Sequence, residues 1–356
     1  MIDNNLYNED LKYIYDLKID WNKLNNKNIL ITGATGLIGT FLIDAIMYKN
    51  NIDNMNIKIY VISRNKEKIL NRFSKYNPQE ISTNNSSDFM YIIQDICEQL
   101  DLNIKFDYII HGASNTHPML YSTDPVGTIM TNVLGFYNIL NYSKKFTPER
   151  IVLLSTVEIY GQNRGDVDYF DEQYCGYIDC NTTRAGYPEA KRVCESLAQS
   201  YISKYNFDIC IGRLSRIYGP TMQLDDSKVI AQFINHTVNN EDIVLKSEGN
   251  QMFSFCYVAD AVAALLVILL NGEKGESYNI SDKKSDIKLK DLAQIFSSIN
   301  DKNVIFEIPD EIERKGYSNS IKALMDSNKI NQIGWNAKYD IESGIKRTVE
   351  ILKKTN

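Results

Sequence analysis

No stretch of this 356-residue chain is apolar for long enough to cross a bilayer, because the longest uncharged apolar run, Ala261 to Leu270, falls well short of the roughly 20 residues a spanning helix needs. The amino terminus, Met1 to Lys18, is polar and charged and contains no apolar signal core, so a cytoplasmic protein is expected. A basic excess is also missing. With 39 Lys and Arg against 45 Asp and Glu, the formal net charge is -6, which argues against the broad polyanion-binding surface of a nucleic-acid binder. Any phosphate must therefore be held locally. The six cysteines are scattered, with Cys175 and Cys180 the only close pair, and the three histidines show no ligand spacing. Neither a disulfide framework nor a metal site is expected, and no internal repeat is visible.

The chain does hold ordinary globular material: 44% hydrophobic and 24% charged residues, at a length above the usual size of one domain. Short β-branched and aliphatic runs at 28–32, 58–63, 90–93, 108–111, 151–155 and 209–214 read as strands. Helical patterns follow them at 37–48, 66–76, within 126–145 and at 188–205. Such alternation predicts an α/β fold, a doubly wound parallel sheet covered by helices on both faces. Residues 27–220 are assigned to this core and 221–356 mostly to a smaller substrate-binding domain whose segments interleave with it. Residues 1–26 are an N-terminal extension able to dock as a helix, and the asparagine-rich stretch 75–88 reads as a surface loop.

Chemistry first shows where the first strand turns into its helix, Thr32-Gly33-Ala34-Thr35-Gly36-Leu37-Ile38-Gly39. Gly33 allows the tight turn, Gly36 lets backbone approach a pyrophosphate, and Gly39 lets the helix lie close to the strand, while the helix N-terminus offers unpaired N–H groups to the anion. A glycine motif in this strand-to-helix context points to a dinucleotide. The second strand ends at Ser63-Arg64-Asn65, without the carboxylate that usually binds the ribose 2'-hydroxyl. Arg64 and Ser63 suit a 2'-phosphate instead, so NADP is expected ahead of NAD. Asp95, beyond the third strand, is a candidate for the adenine edge.

A second constellation is Tyr187-Pro188-Glu189-Ala190-Lys191, with tyrosine and lysine one helical turn apart so that both can face one pocket. A nearby ammonium would favour the phenolate and bring Tyr187 toward proton exchange at neutral pH. The strand before it ends in Ser155-Thr156-Val157-Glu158, which sets Thr156 at the carboxyl edge of the sheet, able to donate to a reacting oxygen.

Taken with His-Gly-Ala at 111–113, Thr-Asn-Val at 131–133, Arg-Leu-Ser-Arg-Ile-Tyr-Gly-Pro at 213–220 and Tyr-Val-Ala-Asp at 257–260, these motifs resemble the extended short-chain dehydrogenase/reductase superfamily, specifically its NAD-dependent epimerase/dehydratase family. The resemblance implies that Tyr187 is the acid/base, that Lys191 binds the nicotinamide ribose and tunes Tyr187, and that Thr156 assists. It implies further cofactor contacts at Thr35, Leu37, Ile38, Ile96, Gly112, Ala113, Ser114 and Asn132. It also implies a nucleotide-linked sugar or polyol as substrate, and a homodimer built on the long helices near 126–145 and 188–205. Two departures stand out. The arginine that many relatives place four residues before the motif tyrosine, on the substrate diphosphate, is Phe253 here, which moves that task to Arg216, Lys228 or Lys246. Relatives that eliminate water carry Asp-Glu after the threonine, and related dehydratases and decarboxylases carry Ser-Glu; this chain has Val157-Glu158, so only Glu158 remains. Hydride transfer needs only Tyr187, Lys191 and Thr156, and a keto-reductase or epimerase is therefore expected ahead of a 4,6-dehydratase or decarboxylase. A non-catalytic NAD(P) sensor is the remaining alternative, and such a protein has no need of the Tyr-Lys pair.

Overall fold

The computed structural model describes residues 4–81, 87–116, 118–307 and 321–355. Helix α1 (Asn5–Tyr15) precedes the first strand. The core then runs β1 (Asn28–Thr32), α2 (Leu37–Asp53), β2 (Lys58–Ser63), α3 (Lys66–Phe73), β3 (Gln79–Glu80), β4 (Phe89–Ile93) and β5 (Tyr108–His111). It continues through α4 (Pro118–Thr123), α5 (Pro125–Ser143), β6 (Arg150–Thr156), α6 (Gly186–Tyr205), β7 (Ile209–Leu214) and β8 (Arg216–Tyr218). Beyond lie α7 (Val229–Val238), β9 (Ile243–Leu245), β10 (Met252–Tyr257), α8 (Val258–Asn271), β11 (Ser277–Ile280), β12 (Asp286–Lys288), α9 (Leu289–Ile299) and β13 (Val304–Phe306). The described chain ends with β14 (Lys322–Ala323), α10 (Asn328–Gln332) and α11 (Ile341–Thr355).

Eight strands form one sheet in the order β11-β7-β6-β5-β1-β2-β4-β3, and every adjacent pair in it is parallel. The period of two along each strand explains why it is covered twice. Ile29 and Ile31 enter the cluster beneath α2 and α8, whereas Leu30 enters the cluster beneath α5 and α6; Val152 and Leu154 divide from Ile151 and Leu153 in the same way. Chain order reverses at β1, whose neighbours are β2 on one side and β5 on the other, and this switch point opens a crevice at the carboxyl ends of the strands.

Three features lie outside the pattern read from sequence. Strand β11 adds to the core sheet beside β7, although it comes from the later part of the chain. Strand β8 pairs with β10, which in turn joins β12 and β14 in a smaller sheet that walls the crevice. Of the stretch 75–88, Gln79 and Glu80 form an edge strand on β4, while 82–86 lie outside the described residues, as does His117. Helix α1 docks because Tyr7, Leu11 and Ile14 share one helical face and are fully buried. The Asn4 side chain caps its start by accepting from the Leu6 and Tyr7 amides.

Candidate functional site

Gly33 holds φ 73°, and a Cβ there would come within 2.5 Å of the Gly112 carbonyl oxygen, so only glycine turns the chain this close to β5. Gly39 is equally confined, since its Cβ would meet the Gly33 oxygen at 2.4 Å. Gly36 differs. It is the N-cap of α2 with no side-chain cap bond, and a Cβ there would meet only the Gly33 oxygen, at 3.4 Å, before projecting into the crevice. The first turn of a 17-residue helix thus presents uncapped amides to open space, a cradle that fits a dinucleotide diphosphate. Thr32 braces the turn: its Oγ1 accepts from the Gly112 and Ala113 amides and lies 2.9 Å from His111 Nδ1.

A cavity of about 620 Å3 extends from this cradle across the strand ends. Its walls include Gly33, Thr35, Gly36, Leu37, Ile38, Gly39, Arg64, Gly112, Ser114, Thr156, Glu158, Tyr187, Arg216, Lys228, Lys246 and Phe253, which brings most of the sequence candidates together. The other candidates lie behind or beside the wall. Ser63 Oγ engages the backbone of Asn65, and Ala113 is held by Thr32. Ile96 packs under Gly135 of α5, and Asn132 is buried with its amide donating to the Thr128 carbonyl. Asp95 accepts from the Cys97 amide and lies 3.5 Å from Arg64, so its carboxylate is engaged with that guanidinium. Lys68, one turn into α3, lines the same end as Arg64; it belongs to the site without any sequence signal having marked it.

At the opposite end, Tyr187 is 7% exposed and Lys191 3%. Burial pushes the Tyr187 phenol up to about 12; the Glu158 charge adds to this, while a hydrogen bond with Thr156 and the Arg184 charge oppose it. This differs from the expectation that the lysine would draw the phenol toward neutrality. Lys191 Nζ instead donates to the Leu154 carbonyl at 3.0 Å, and burial lowers its own pKa. The charged groups that act on Tyr187 are Glu158 and Arg184.

Arg184 was not visible as a site residue in the sequence, although it lies three residues before Tyr187. Its Nη2 donates to a Glu158 carboxylate oxygen at 2.8 Å, and its guanidinium lies 4.9 Å from the Tyr121 ring centre. Tyr121, from the short helix α4, stacks on Tyr187 with ring centres 4.8 Å apart and planes 16° from parallel. Glu158 thus lines the cavity as half of an ion pair. Lys228 is paired with Asp226 at 2.8 Å, and Arg216 lies flat against Phe253 with its guanidinium 3.5 Å from the ring centre.

A doubly wound parallel sheet with an uncapped glycine turn at its switch point, joined by one cavity to a buried Tyr-Thr-Lys group, defines a dinucleotide-dependent enzyme of the Rossmann class. The sequence profile described as "NAD dependent epimerase/dehydratase family" matches residues 29–281, and the chain belongs to that family. It is similar to the dTDP-D-glucose 4,6-dehydratase of Mus musculus, at 30% identity over 92% of this chain and 89% of that protein. It is also similar to UDP-glucuronic acid decarboxylase 4 of Arabidopsis thaliana, at 28% identity over 89% of this chain and 66% of the plant protein. Among solved structures, the UDP-glucuronic acid 4-epimerase of Bacillus cereus, in complex with UDP-glucuronic acid and NAD, shares the fold with a TM-score of 0.75 at 18% identity, over 92% of this chain and 100% of that one. Among the described residues no helix is long and apolar enough to cross a membrane.

Proposed function

We propose that the protein interconverts a hydroxyl and a carbonyl on a nucleotide-linked sugar, with a nicotinamide dinucleotide held along residues 33–39. The observation that carries this reading is the single cavity that joins the uncapped glycine turn to Tyr187 and Thr156. When bound there, the dinucleotide supplies the hydride acceptor and donor. The chain's own residues handle the proton. With its pKa near 12, Tyr187 is protonated at neutral pH and is ready to donate to a carbonyl oxygen being reduced. Thr156, at the strand edge, draws the Tyr187 phenol pKa down against its burial, and Lys191 is anchored on the Leu154 carbonyl one helical turn away. Tyr121 stacks on the Tyr187 ring and covers one of its faces.

Relatives whose names include dehydratase and decarboxylase support a second reading, and a specific observation favours it. Glu158 faces the cavity beside Tyr187 and is charge-paired, which gives a carbon next to a new ketone a carboxylate for proton removal. Loss of water or carbon dioxide from the oxidised sugar is therefore open to this site to a degree that Val157-Glu158 did not suggest in the sequence. For the cofactor, Arg64 and Lys68 at one end of the cavity, together with the missing carboxylate at the end of β2, support NADP, with Asp95 competing for Arg64. A homodimer through α5 and α6 is supported by exposed Val126, Met130, Leu134 and Tyr137 along one stripe of α5 and by Val193 on α6. A cytoplasmic enzyme is supported by six free cysteines.

The test is incubation of the purified chain with UDP- and dTDP-linked sugars and their keto forms, with NADP and NAD in parallel, followed by product mass and 340 nm absorbance. A gain of two hydrogens marks reduction, unchanged mass with a new stereochemistry marks epimerisation, and loss of water or carbon dioxide marks the second reading. No change in any sugar, with the dinucleotide bound, would sink both.

A further inference from the structure

Two side chains one turn apart on α6 hold two successive residues of β6. Lys191 Nζ donates to the Leu154 carbonyl at 3.0 Å, and the Glu195 carboxylate accepts from the Ser155 hydroxyl at 2.5 Å. Ser155 follows Ile151 and Leu153 on the strand face that α6 covers, whereas Thr156, the next residue, takes the opposite face. Glu195 is itself held. Arg213 of β7 donates to it through Nε and Nη2, the latter at 2.7 Å, and the side chains of Glu195 and Arg213 are only 12% and 11% exposed. The remaining Arg213 nitrogen, Nη1, donates to the Tyr160 hydroxyl at 3.1 Å and to the Glu172 carbonyl at 2.7 Å. Tyr160 in turn donates to Asn279 of β11 at 2.5 Å. One buried network therefore grips both ends of residues 155–160, the segment that carries Thr156 and Glu158, and joins them to the helix that carries Tyr187 and Lys191.

Stability alone does not account for so polar a joint. The apolar cluster beneath α5 and α6 already holds the helix on the sheet, and a buried ion pair adds little over apolar packing of the same volume. Apolar contact is non-directional, so it fixes the distance of α6 from the sheet better than the setting of the helix along its own axis. Hydrogen bonds of 2.5 and 3.0 Å from successive turns of α6 to successive residues of β6 do fix that setting. The reacting geometry depends on it, because Thr156 stands one residue beyond the Ser155 anchor and Tyr187 stands two turns before the Glu195 anchor.

We propose that Glu195 is a positioning residue for the reaction: oriented by Arg213, it holds Ser155 and so sets Thr156 against Tyr187. Glu195 does not line the cavity, so it acts through the strand. This inference rests on the nucleotide-sugar reading above.

Steady-state kinetics of the full-length chain tests it, with each of UDP-glucose, UDP-glucuronate and dTDP-glucose that the wild type turns over, in Ser155→Ala, Glu195→Met and the double variant. Ser155→Ala keeps the ion pair of Glu195 with Arg213 and cuts only the tie to β6. It is expected to lower kcat about tenfold, within the loss of up to about 10²-fold that a misplacement of about 1 Å brings, while KM and dinucleotide affinity stay within about threefold. Glu195→Met lowers kcat at least as far, and the double variant falls no further than Glu195→Met, because both substitutions break one contact. Should Glu195→Met fail to fold, Ser155→Ala carries the test through the comparison of kcat with KM. A kcat within about twofold of wild type in Ser155→Ala, a KM or dinucleotide affinity that worsens in step with kcat, or losses that multiply in the double variant overturns the positioning role and leaves the nucleotide-sugar reading standing. A wild-type chain that binds the dinucleotide and turns over none of the three sugars overturns both.

Discussion

Tyr187 illustrates how burial and charge compete at a single residue. Its phenol is driven to about 12 chiefly by desolvation, so the neighbours that can lower it matter in proportion to how little else does. Replacement by phenylalanine removes the proton donor and leaves the glycine turn intact. Tyr187→Phe is expected to reduce turnover by about 10²–10⁴-fold while dinucleotide affinity, followed by fluorescence titration, changes by less than about threefold. Retention of more than about a tenth of wild-type turnover would remove Tyr187 from the role. The same balance gives two opposite signs. Glu158 raises the phenol pKa and the Thr156 hydrogen bond lowers it, so Glu158→Gln should bring the alkaline limb of the pH–rate profile below that of the wild type and Thr156→Val should push it higher. Shifts in the same direction would show that the limb belongs to another group.

Strands β1 and β5 are tied by a buried polar contact that makes stability depend on pH. Burial, reinforced by the Lys191 charge, lowers His111 to about 3, whereas an unfolded imidazole titrates near 6.5. The folded state therefore refuses a proton that the unfolded chain accepts. The stability linked to His111 is fully present above pH of about 6.5 and is lost as pH falls toward 3, at up to about 1.4 kcal/mol per pH unit. Asp260 and Asp286, raised by burial to about 6, act in the opposite direction, since their folded-state preference for the proton favours folding more as pH falls from 6 toward the ordinary carboxylate range. Urea unfolding of wild type and His111→Asn at pH 7 and pH 5 isolates the histidine: the variant should lose less stability between the two. Helix α1 offers a second test at this level. Asp10 is fully buried, accepts from Tyr257 at 2.6 Å and pairs with Arg347 of α11 at 2.9 Å. Asp10→Ala strands the buried Tyr257 hydroxyl and leaves Arg347 with only Glu9 and the Leu6 carbonyl, and is expected to cost about 3 kcal/mol, seen as a lower urea midpoint with an unchanged slope.

For the molecule as a whole, the outer faces of α5 and α6 pose the open question. Val126 is 66% exposed, and Met130, Leu134 and Tyr137 continue its stripe, a spacing that suits helix packing against a second copy. The double substitution Met130→Glu with Leu134→Glu should convert a dimer into a monomer in analytical ultracentrifugation without altering the far-ultraviolet spectrum. A wild-type chain that sediments as a monomer would remove the dimer.

The amino-acid sequence determined whatever depends on neighbours along the chain. Runs of β-branched and aliphatic residues placed the six main strands of the sheet within a residue or so, and the glycines at 33, 36 and 39 marked a turn that at 33 and 39 admits little else. The spacing of Tyr187 and Lys191 put them one turn apart on α6. Tertiary structure decided which distant groups meet. Glu158 gains Arg184 from 26 residues away, Arg216 gains Phe253 through the pairing of β8 with β10, and Tyr121 arrives over Tyr187 from a helix whose sequence carries no site signal. Strand β11 joins the core sheet for the same reason, returning to it after the chain has paired β8 with β10 outside it. Periodicity and turn chemistry report the conformation of a few consecutive residues, whereas the charge balance around Tyr187 depends on desolvation and on approaches of a few ångströms between side chains that only the closed fold brings together.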